Sequence, residues 1–227
     1  ALLGVISVLM MLEPHLSGTV LILCTGAVLM IVGGIQAWLV AVGIGGVGAV
    51  GFLFVKLAEK GIIKYGSARI AMWHDPWLDY SGDGYQLAQS LITIGSGGLL
   101  GVGLGRSRQK FLYLPEQYND FIFSVVCEEL GLIGACVIML IFALLILRGF
   151  WIALHARDRF GALLTVGIMT HLALQTFLNI AVVSGFVPTT GISLPFFSYG
   201  GTALCLQLAE MGIVLSVSRQ IPAPKAG

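Results

Sequence analysis

Charged residues are scarce in this sequence. Lys, Arg, Asp and Glu together make up 10% of the 227 residues, whereas roughly 25% is typical of soluble domains. So few ionisable side chains cannot cover the surface of a soluble fold of this length, which excludes a cytosolic globular enzyme and a disordered chain. The net charge of +1 excludes a nucleic-acid-binding protein, which would need a basic excess.

Cysteine is also scarce and forms no metal-binding or redox motif. The four residues Cys24, Cys127, Cys136 and Cys205 lie in apolar stretches, without a C-x-x-C pair or a His at zinc spacing. We interpret them as small buried hydrophobic residues. The sequence has no signal-peptide pattern. It begins at Ala1 inside an apolar run, as expected for the C-terminal part of a longer protein.

Long apolar runs dominate the sequence. Apolar residues reach 57% and the mean hydropathy is +0.97. A bilayer core about 30 Å thick needs roughly 20 apolar residues in a helix. Five segments approach or exceed this length: Thr19–Gly34, Gln36–Leu57, Phe121–Leu147, Ala162–Val183 and Thr202–Val217. With Leu2–Leu12 as the end of a truncated span, residues 1–227 are predicted to form one all-α integral membrane domain, a polytopic bundle of five full transmembrane helices and one partial helix.

Basic residues in short connections predict the orientation. The connections at 13–18 and 184–200 contain no Lys or Arg. The basic residues lie instead after the third full span and in the C-terminal tail: Arg148, Arg157, Arg159, Arg219 and Lys225. Because cytoplasmic loops are enriched in Lys and Arg, the C-terminus is predicted to be cytoplasmic and residues 58–119 to form a large extracytoplasmic loop.

Two features stand out within this loop. Tyr85–Ile94 places Leu87, Leu91 and Ile94 on one helical face, which predicts a short interfacial or re-entrant helix. Six glycines follow between positions 95 and 105. They match no nucleotide-binding pattern, so we expect close backbone packing or a hinged turn.

The densest group of ionisable side chains begins at the end of the loop: Arg106, Arg108, Lys110, Glu116, Asp120, Glu128 and Glu129. Such groups are functional candidates at a membrane, because lipid makes them costly. The span after Asp120 would be about 40 Å long as a helix and exceeds the hydrocarbon core. Asp120 should therefore lie at a helix N-terminus just outside the lipid, where it could act as a general base, a metal ligand or an N-cap.

The other polar candidates have open roles. Glu116 either pairs with Asp120, as a residue of the substrate-binding site, or is solvated. At least one of Glu128 and Glu129 should hydrogen-bond to a neighbouring helix. The basic cluster of Arg106, Arg108 and Lys110 either holds a phosphate or contacts anionic membrane lipids. The lone polar residues of the spans should form interhelical hydrogen bonds; they are His171, Asn179, Gln207 and Glu210.

Several motifs resemble the SEDS family of bacterial cell-wall proteins, which comprises FtsW, RodA and SpoVE. Between residues 84 and 131 they read GYQ, QSLI, IGSGGL, GLG, QK, LPE, NDFIF and EELG. Gly191–Gly201 (GISLPFFSYGG) is similar to a second hallmark, and Glu13–Thr19 (EPHLSGT) to a third. His15 stands where the family commonly has Asp. The residues of the motifs resemble those of FtsW and SpoVE more closely than those of RodA.

The resemblance implies a ten-span glycosyltransferase that polymerises lipid II. This chain would contain the end of the fifth span and all of spans six to ten. The resemblance implies that Asp120 is the essential acid between spans seven and eight. It also implies a class B penicillin-binding protein, which is a transpeptidase, and divisome proteins as partners in the bacterial cytoplasmic membrane, at the septum.

The implied chemistry needs few groups. A base takes the proton of the acceptor hydroxyl, and positive charge stabilises the departing undecaprenyl diphosphate. Asp120 can supply the base; Arg106, Arg108, Lys110 or a divalent cation (Mg or Mn) can supply the charge, with no organic cofactor. Two other functions stay open at this point, a lipid II flippase and a non-catalytic scaffold for a transpeptidase.

Overall fold

The computed structural model describes residues 16–36, 73–80, 84–107 and 118–221, together with residues 3, 6, 9–10, 38–39, 42–43, 45 and 82. All the regular elements in these ranges are helices, as predicted. They are α1 (Leu16–Val32), α2 (Tyr85–Ser96), α3 (Ile122–Leu154), α4 (Arg159–Val183) and α5 (Gly201–Arg219).

Three of the predicted spans are confirmed by length and composition. Helices α3, α4 and α5 are long and apolar enough to cross a membrane, where a helix satisfies its own backbone polar groups. The predicted span Thr19–Gly34 corresponds to α1, an apolar helix of 17 residues. The predicted spans Gln36–Leu57 and Leu2–Leu12 lie largely outside the described residues. The protein is an all-α, polytopic membrane protein.

Helix α4 lies at the centre of the bundle and contacts α1, α3 and α5. One core extends from the middle of α4 towards the end at which the helix begins, and it contains Met169 and Leu172 together with Ile152 of α3 and Val214 of α5. Asp158 caps this end by accepting a hydrogen bond from Gly161 N at 2.8 Å, so α4 starts three residues before the predicted Ala162. This end of the molecule also carries Arg157.

A second core lies at the opposite end of α3 and α4. It contains Phe121 and Phe123 from the start of α3, Val183 from the end of α4, and Leu194 from the connection that follows. Asp120 therefore lies at one end of helix α3, and the connection between α3 and α4, which contains Arg157, lies at the other end.

Helix α2 packs against α3 and α4, and its burial differs from the prediction. Leu87 is buried as expected, but Gln89, Ser90 and Thr93 are buried as well. Ser90 Oγ lies 2.8 Å from Ser124 Oγ and donates to Val183 O at 2.7 Å. Ser90 thus has partners on α3 and α4, whereas Gln89 Nε2 donates to the Tyr80 hydroxyl at 2.7 Å and Thr93 Oγ1 donates to Gln89 O of its own helix at 2.6 Å. The periodicity of α2 alone does not reveal these partners.

All four cysteines were predicted to be buried, but the prediction is correct only for Cys127. Cys24 is half-buried, and Cys136 and Cys205 are exposed on the sides of α3 and α5. A thiol is apolar enough to lie on the lipid-facing side of a membrane helix, so its burial does not follow from an apolar neighbourhood.

Candidate active site

The turn before α3, which carries Asp120, is fixed by its backbone. Phe121, rather than Asp120, occupies the N-cap position of α3, so the N-cap role does not apply to Asp120. Three successive carbonyls of the turn accept hydrogen bonds from distant residues: Tyr118 O from Tyr199 N, Asn119 O from Ser198 Oγ and Asp120 O from Asn179 Nδ2, each at 2.7 Å. The half-buried side chain of Asp120 thus projects from a backbone held by two other segments.

Asn179 of α4 links the turn that carries Asp120 to the connection that follows α4. It is fully buried, and its side-chain nitrogen donates both to Asp120 O and to Ile192 O, the latter at 2.6 Å. The predicted interhelical role is therefore wrong for Asn179, because its partners are the carbonyls of two connections. Buried carbonyls need donors, and one amide group can satisfy both.

Gly191 faces the Asp120 carboxylate. Its φ of +72° is in the region that favours glycine. A Cβ placed on Gly191 would lie 3.4 Å from Asp120 Oδ2. The absence of a side chain at position 191 keeps the space beside the carboxylate open.

The segment around Gly191 is tied to several helices. Thr190 O accepts from Ser17 Oγ at the start of α1 at 2.8 Å, and Ser193 O accepts from Gln175 Nε2 of α4 at 3.1 Å. Phe196, which has a φ of +64°, donates its N–H to Gln207 Oε1 of α5 at 2.8 Å. Its ring packs against both cores. Packing and hydrogen bonding together hold this strained residue, and the segment with it.

Helix α3 is broken at Gly131, whereas the sequence predicted a continuous span. Gly131 has φ +71° and ψ −173°, and a Cβ there would collide with the backbone of Gly101. The glycine-rich segment after α2 inserts at this break and forms four backbone hydrogen bonds: Leu132 N to Gly98 O, Ile133 N to Leu99 O, Val102 N to Glu128 O and Gly103 N to Glu129 O. Close backbone packing of the glycine-rich segment is thereby confirmed.

Both carboxylates before the break are bound by this same segment. Glu129 accepts from Gly105 N at 3.0 Å and from Ser107 N at 3.3 Å. Glu128 is buried and accepts a hydrogen bond from Ser107 Oγ. The structural role predicted for at least one of them is therefore correct for both, but these hydrogen bonds go to a loop and not to a neighbouring helix.

The predicted charge cluster is described only in part. Arg106 is exposed directly beside the anchored Ser107. Arg108, Lys110 and Glu116 lie outside the described residues, so their roles in substrate binding stay predictions. Among the residues that are described, no three His, Cys, Asp or Glu side chains lie close enough together to bind a metal ion.

Sequence reasoning missed three features of this site: the loop contacts of Asn179, the approach of Gly191 to Asp120, and the break at Gly131. A glycine two positions after a pair of adjacent glutamates in an apolar run (EELG) was a usable signal for the break, since Glu-Glu is costly within a continuous span. The other two features depend on pairs of residues far apart in the chain and have no local signal.

Comparison with known families decides the classification. The profile of the FtsW, RodA and SpoVE cell cycle proteins matches residues 1–222. The chain belongs to this family. Stage V sporulation protein E of Bacillus subtilis is 45% identical over 212 residues, which cover 93% of this chain and 56% of that protein. A probable peptidoglycan glycosyltransferase FtsW of Geobacter sulfurreducens is 41% identical over 94% of this chain and 56% of its own length.

Solved structures of the family agree with the fold. A chain from a study of how a peptidoglycan synthase complex coordinates polymerization and crosslinking has a TM-score of 0.75 and 29% identity, over 99% of this chain and 62% of that one. The crystal structure of an aspartate-to-alanine variant of RodA from Thermus thermophilus has a TM-score of 0.60 and 26% identity, over 96% and 55% of the two chains. The chain thus spans about half the length of the curated FtsW and SpoVE relatives that it matches.

Proposed function

We propose that this protein is a peptidoglycan glycosyltransferase that polymerises lipid II, and that Asp120 is its catalytic base. The observation that carries the proposal is the half-buried Asp120 carboxylate, which lies beside Gly191 on a backbone held by Asn179. Pre-organised groups of this kind suit catalysis, because they need little rearrangement in the transition state. The FtsW relative, which is named a probable peptidoglycan glycosyltransferase, supports the same activity.

The proposed reaction is a single displacement at the anomeric carbon of the lipid-linked donor. Asp120 takes the proton of the acceptor hydroxyl while the acceptor oxygen bonds to the anomeric carbon. The bond from that carbon to the diphosphate oxygen breaks, and its electron pair leaves with undecaprenyl diphosphate. The configuration inverts, so a second carboxylate nucleophile is not required.

The leaving diphosphate needs positive charge. Arg106, Arg108 and Lys110 supply it in our proposal, with Arg106 exposed at the surface of the glycine-rich segment. If a divalent cation assists, Asp120 would be the residue that holds it. The cation would then neutralise developing charge on the diphosphate.

We further propose that a class B penicillin-binding protein crosslinks the new strand and that divisome proteins place the pair at the septum of the bacterial cytoplasmic membrane. The neighbouring structure of a peptidoglycan synthase complex supports a transpeptidase partner. The arginine-containing connection at Arg157 lies at the end of α3 opposite Asp120. This placement supports a cytoplasmic C-terminus and an extracytoplasmic active site.

The decisive experiment uses purified full-length protein and labelled lipid II, with and without the transpeptidase, and separates the products by chain length. We expect glycan chains from the wild type and none from Asp120→Asn. A protein that moves lipid II across liposomes without forming chains would be a flippase, and one that does neither would be a scaffold; either result would contradict the proposal.

A further inference from the structure

We propose that Glu129, Glu128 and Ser107 are positioning residues, which hold Arg106 in place for the diphosphate of the lipid-linked donor. This inference rests on the function proposed above and goes beyond it, because it assigns a task to the two carboxylates that neither take up the proton nor bind the substrate. The three residues touch no reacting atom; they act through Arg106.

The first support is the direction of their hydrogen bonds. The break at Gly131 is already closed by the four backbone bonds to the glycine-rich segment. The carboxylates of Glu128 and Glu129 take no part in those four bonds. They bind the next part of the segment, at Gly105 and Ser107, the residues on either side of Arg106.

The second support is the contrast in burial along these residues. Ser107 is 1% exposed and Glu128 is 2% exposed, whereas Arg106 is exposed. Ser107 directs its side chain into the protein and anchors the segment, while its neighbour presents a guanidinium at the surface. A guanidinium matches phosphate oxygens in charge and shape, so a fixed Arg106 is suited to a diphosphate.

The third support is the rigid element that carries both ends of the site. Asp120 immediately precedes the N-cap of the helical arm 122–130, and Glu129 lies near the end of this arm. Glu129 is nine positions after Asp120, which corresponds to about 14 Å along a helix axis. The arm therefore sets the position of the anchored basic segment relative to the proposed base, as a catalytic site requires.

The test is a double-mutant cycle on the full-length protein with its transpeptidase, using labelled lipid II in detergent. We expect Ser107→Ala and Glu129→Gln each to raise the KM for lipid II by roughly tenfold, and Arg106→Gln to raise it by a similar factor or more. If Ser107 acts through Arg106, Ser107→Ala should cost less than about twofold when Arg106→Gln is already present.

Ser90→Ala is the matched control, because Ser90 is also a buried serine with a side-chain partner on α3. It should lower the thermal midpoint but leave the KM within about twofold. A change in Tm without a change in KM for Ser107→Ala and Glu129→Gln would reduce these residues to a structural role.

Multiplicative losses in the Arg106→Gln/Ser107→Ala protein would also overturn the inference, because they would show that Ser107 acts independently of Arg106. Those two outcomes leave the proposed function intact, since the wild type still makes glycan chains. A wild type that makes none refutes the proposed function itself, and the positioning role with it.

Discussion

At the scale of the residue, Asp120 combines an accessible carboxylate with a backbone that cannot easily move. Its carbonyl is bound by Asn179, and its Oδ2 is beside Gly191. The side chain of Asp120 therefore provides the chemistry, and the hydrogen-bonded backbone of Asp120 fixes where that side chain lies. Substitutions that keep this backbone can separate the two contributions.

Asp120→Asn should remove polymerisation while the protein still folds. The amide cannot accept the hydroxyl proton, so we expect a loss of roughly a hundredfold or more in the rate of chain formation. The bond from Asn179 to the main-chain carbonyl is retained. Rate is measured with labelled lipid II and folding by thermal unfolding in detergent.

Asp158→Asn is the matched control, because it makes the same change at the other end of the bundle and keeps a residue that can cap α4. Near-normal chain synthesis by Asp120→Asn would remove Asp120 from the active site.

Gly191→Ala should damage the site without touching Asp120 itself. The backbone of an alanine would be strained at φ +72°, and its Cβ would lie 3.4 Å from Asp120 Oδ2. We expect a destabilisation of about 1–3 kcal/mol and a loss of activity of at least about tenfold, since small displacements of a catalytic group are costly.

Gly212→Ala in α5 is the control for that substitution, because a Cβ there meets nothing within 4 Å. It should be neutral or slightly stabilising. Equal activities for the alanine variants at positions 191 and 212 would show that the space beside Asp120 is not used.

The basic cluster allows a test that separates diphosphate binding from headgroup contacts. If Arg108 and Lys110 bind the diphosphate, Arg108→Gln/Lys110→Gln should reduce polymerisation by roughly a hundredfold in both anionic liposomes and neutral detergent. A defect confined to the liposomes would instead assign the two residues to lipid headgroups.

At the scale of the element, the break in α3 is the feature that organises the site. The arm 122–130 separates from the long membrane-spanning part, and the glycine-rich segment supplies the hydrogen bonds lost at the break. A residue with a side chain at position 131 would push the two backbones apart.

Gly131→Ala should therefore prevent correct folding of this region. A Cβ would meet the backbone of Gly101 at a φ of +71°, and neither backbone can shift without losing hydrogen bonds. We expect a loss of more than about 3 kcal/mol in stability, which is within the range seen for strained backbone combined with overpacking.

The measurements are the yield of monodisperse protein on size exclusion and its thermal midpoint. Gly95→Ala in α2 is the control, because Gly95 is helical and has open space around it. Wild-type stability of Gly131→Ala would mean that α3 can run straight through position 131.

At the scale of the whole molecule, the orientation of the protein across the membrane can be predicted because the two ends of α3 carry different residues. The turn with Asp120 lies at one end and the connection with Arg157 at the other. The distribution of basic residues predicts that the Arg157 end is cytoplasmic.

Cysteine labelling of intact cells tests this orientation. In a protein without its native cysteines, Leu78→Cys, four residues before Gly82, should react with an impermeant thiol reagent, and Arg157→Cys should react only after the membrane is permeabilised. Both positions are exposed, so access depends on the side of the membrane. The reverse pattern would place Asp120 in the cytoplasm and contradict extracytoplasmic polymerisation.

The amino-acid sequence was enough to predict the membrane class, the spans that became α3, α4 and α5, and the candidate acid Asp120. These inferences depend on local properties: apolar runs longer than the bilayer is thick, and ionisable residues where such runs begin. The family motifs added an expected chemistry to that acid.

The contacts that hold the site in place are visible only in the folded protein. The break at Gly131 is stable because carbonyls of Gly98 and Leu99, more than thirty positions earlier in the chain, accept the N–H groups that the helix cannot satisfy. Asn179 likewise finds its partners in connections on either side of α4 in sequence. Hydrophobicity is a local property of a segment, but a hydrogen-bond partner across the fold depends on how the segments pack, and no local pattern encodes it.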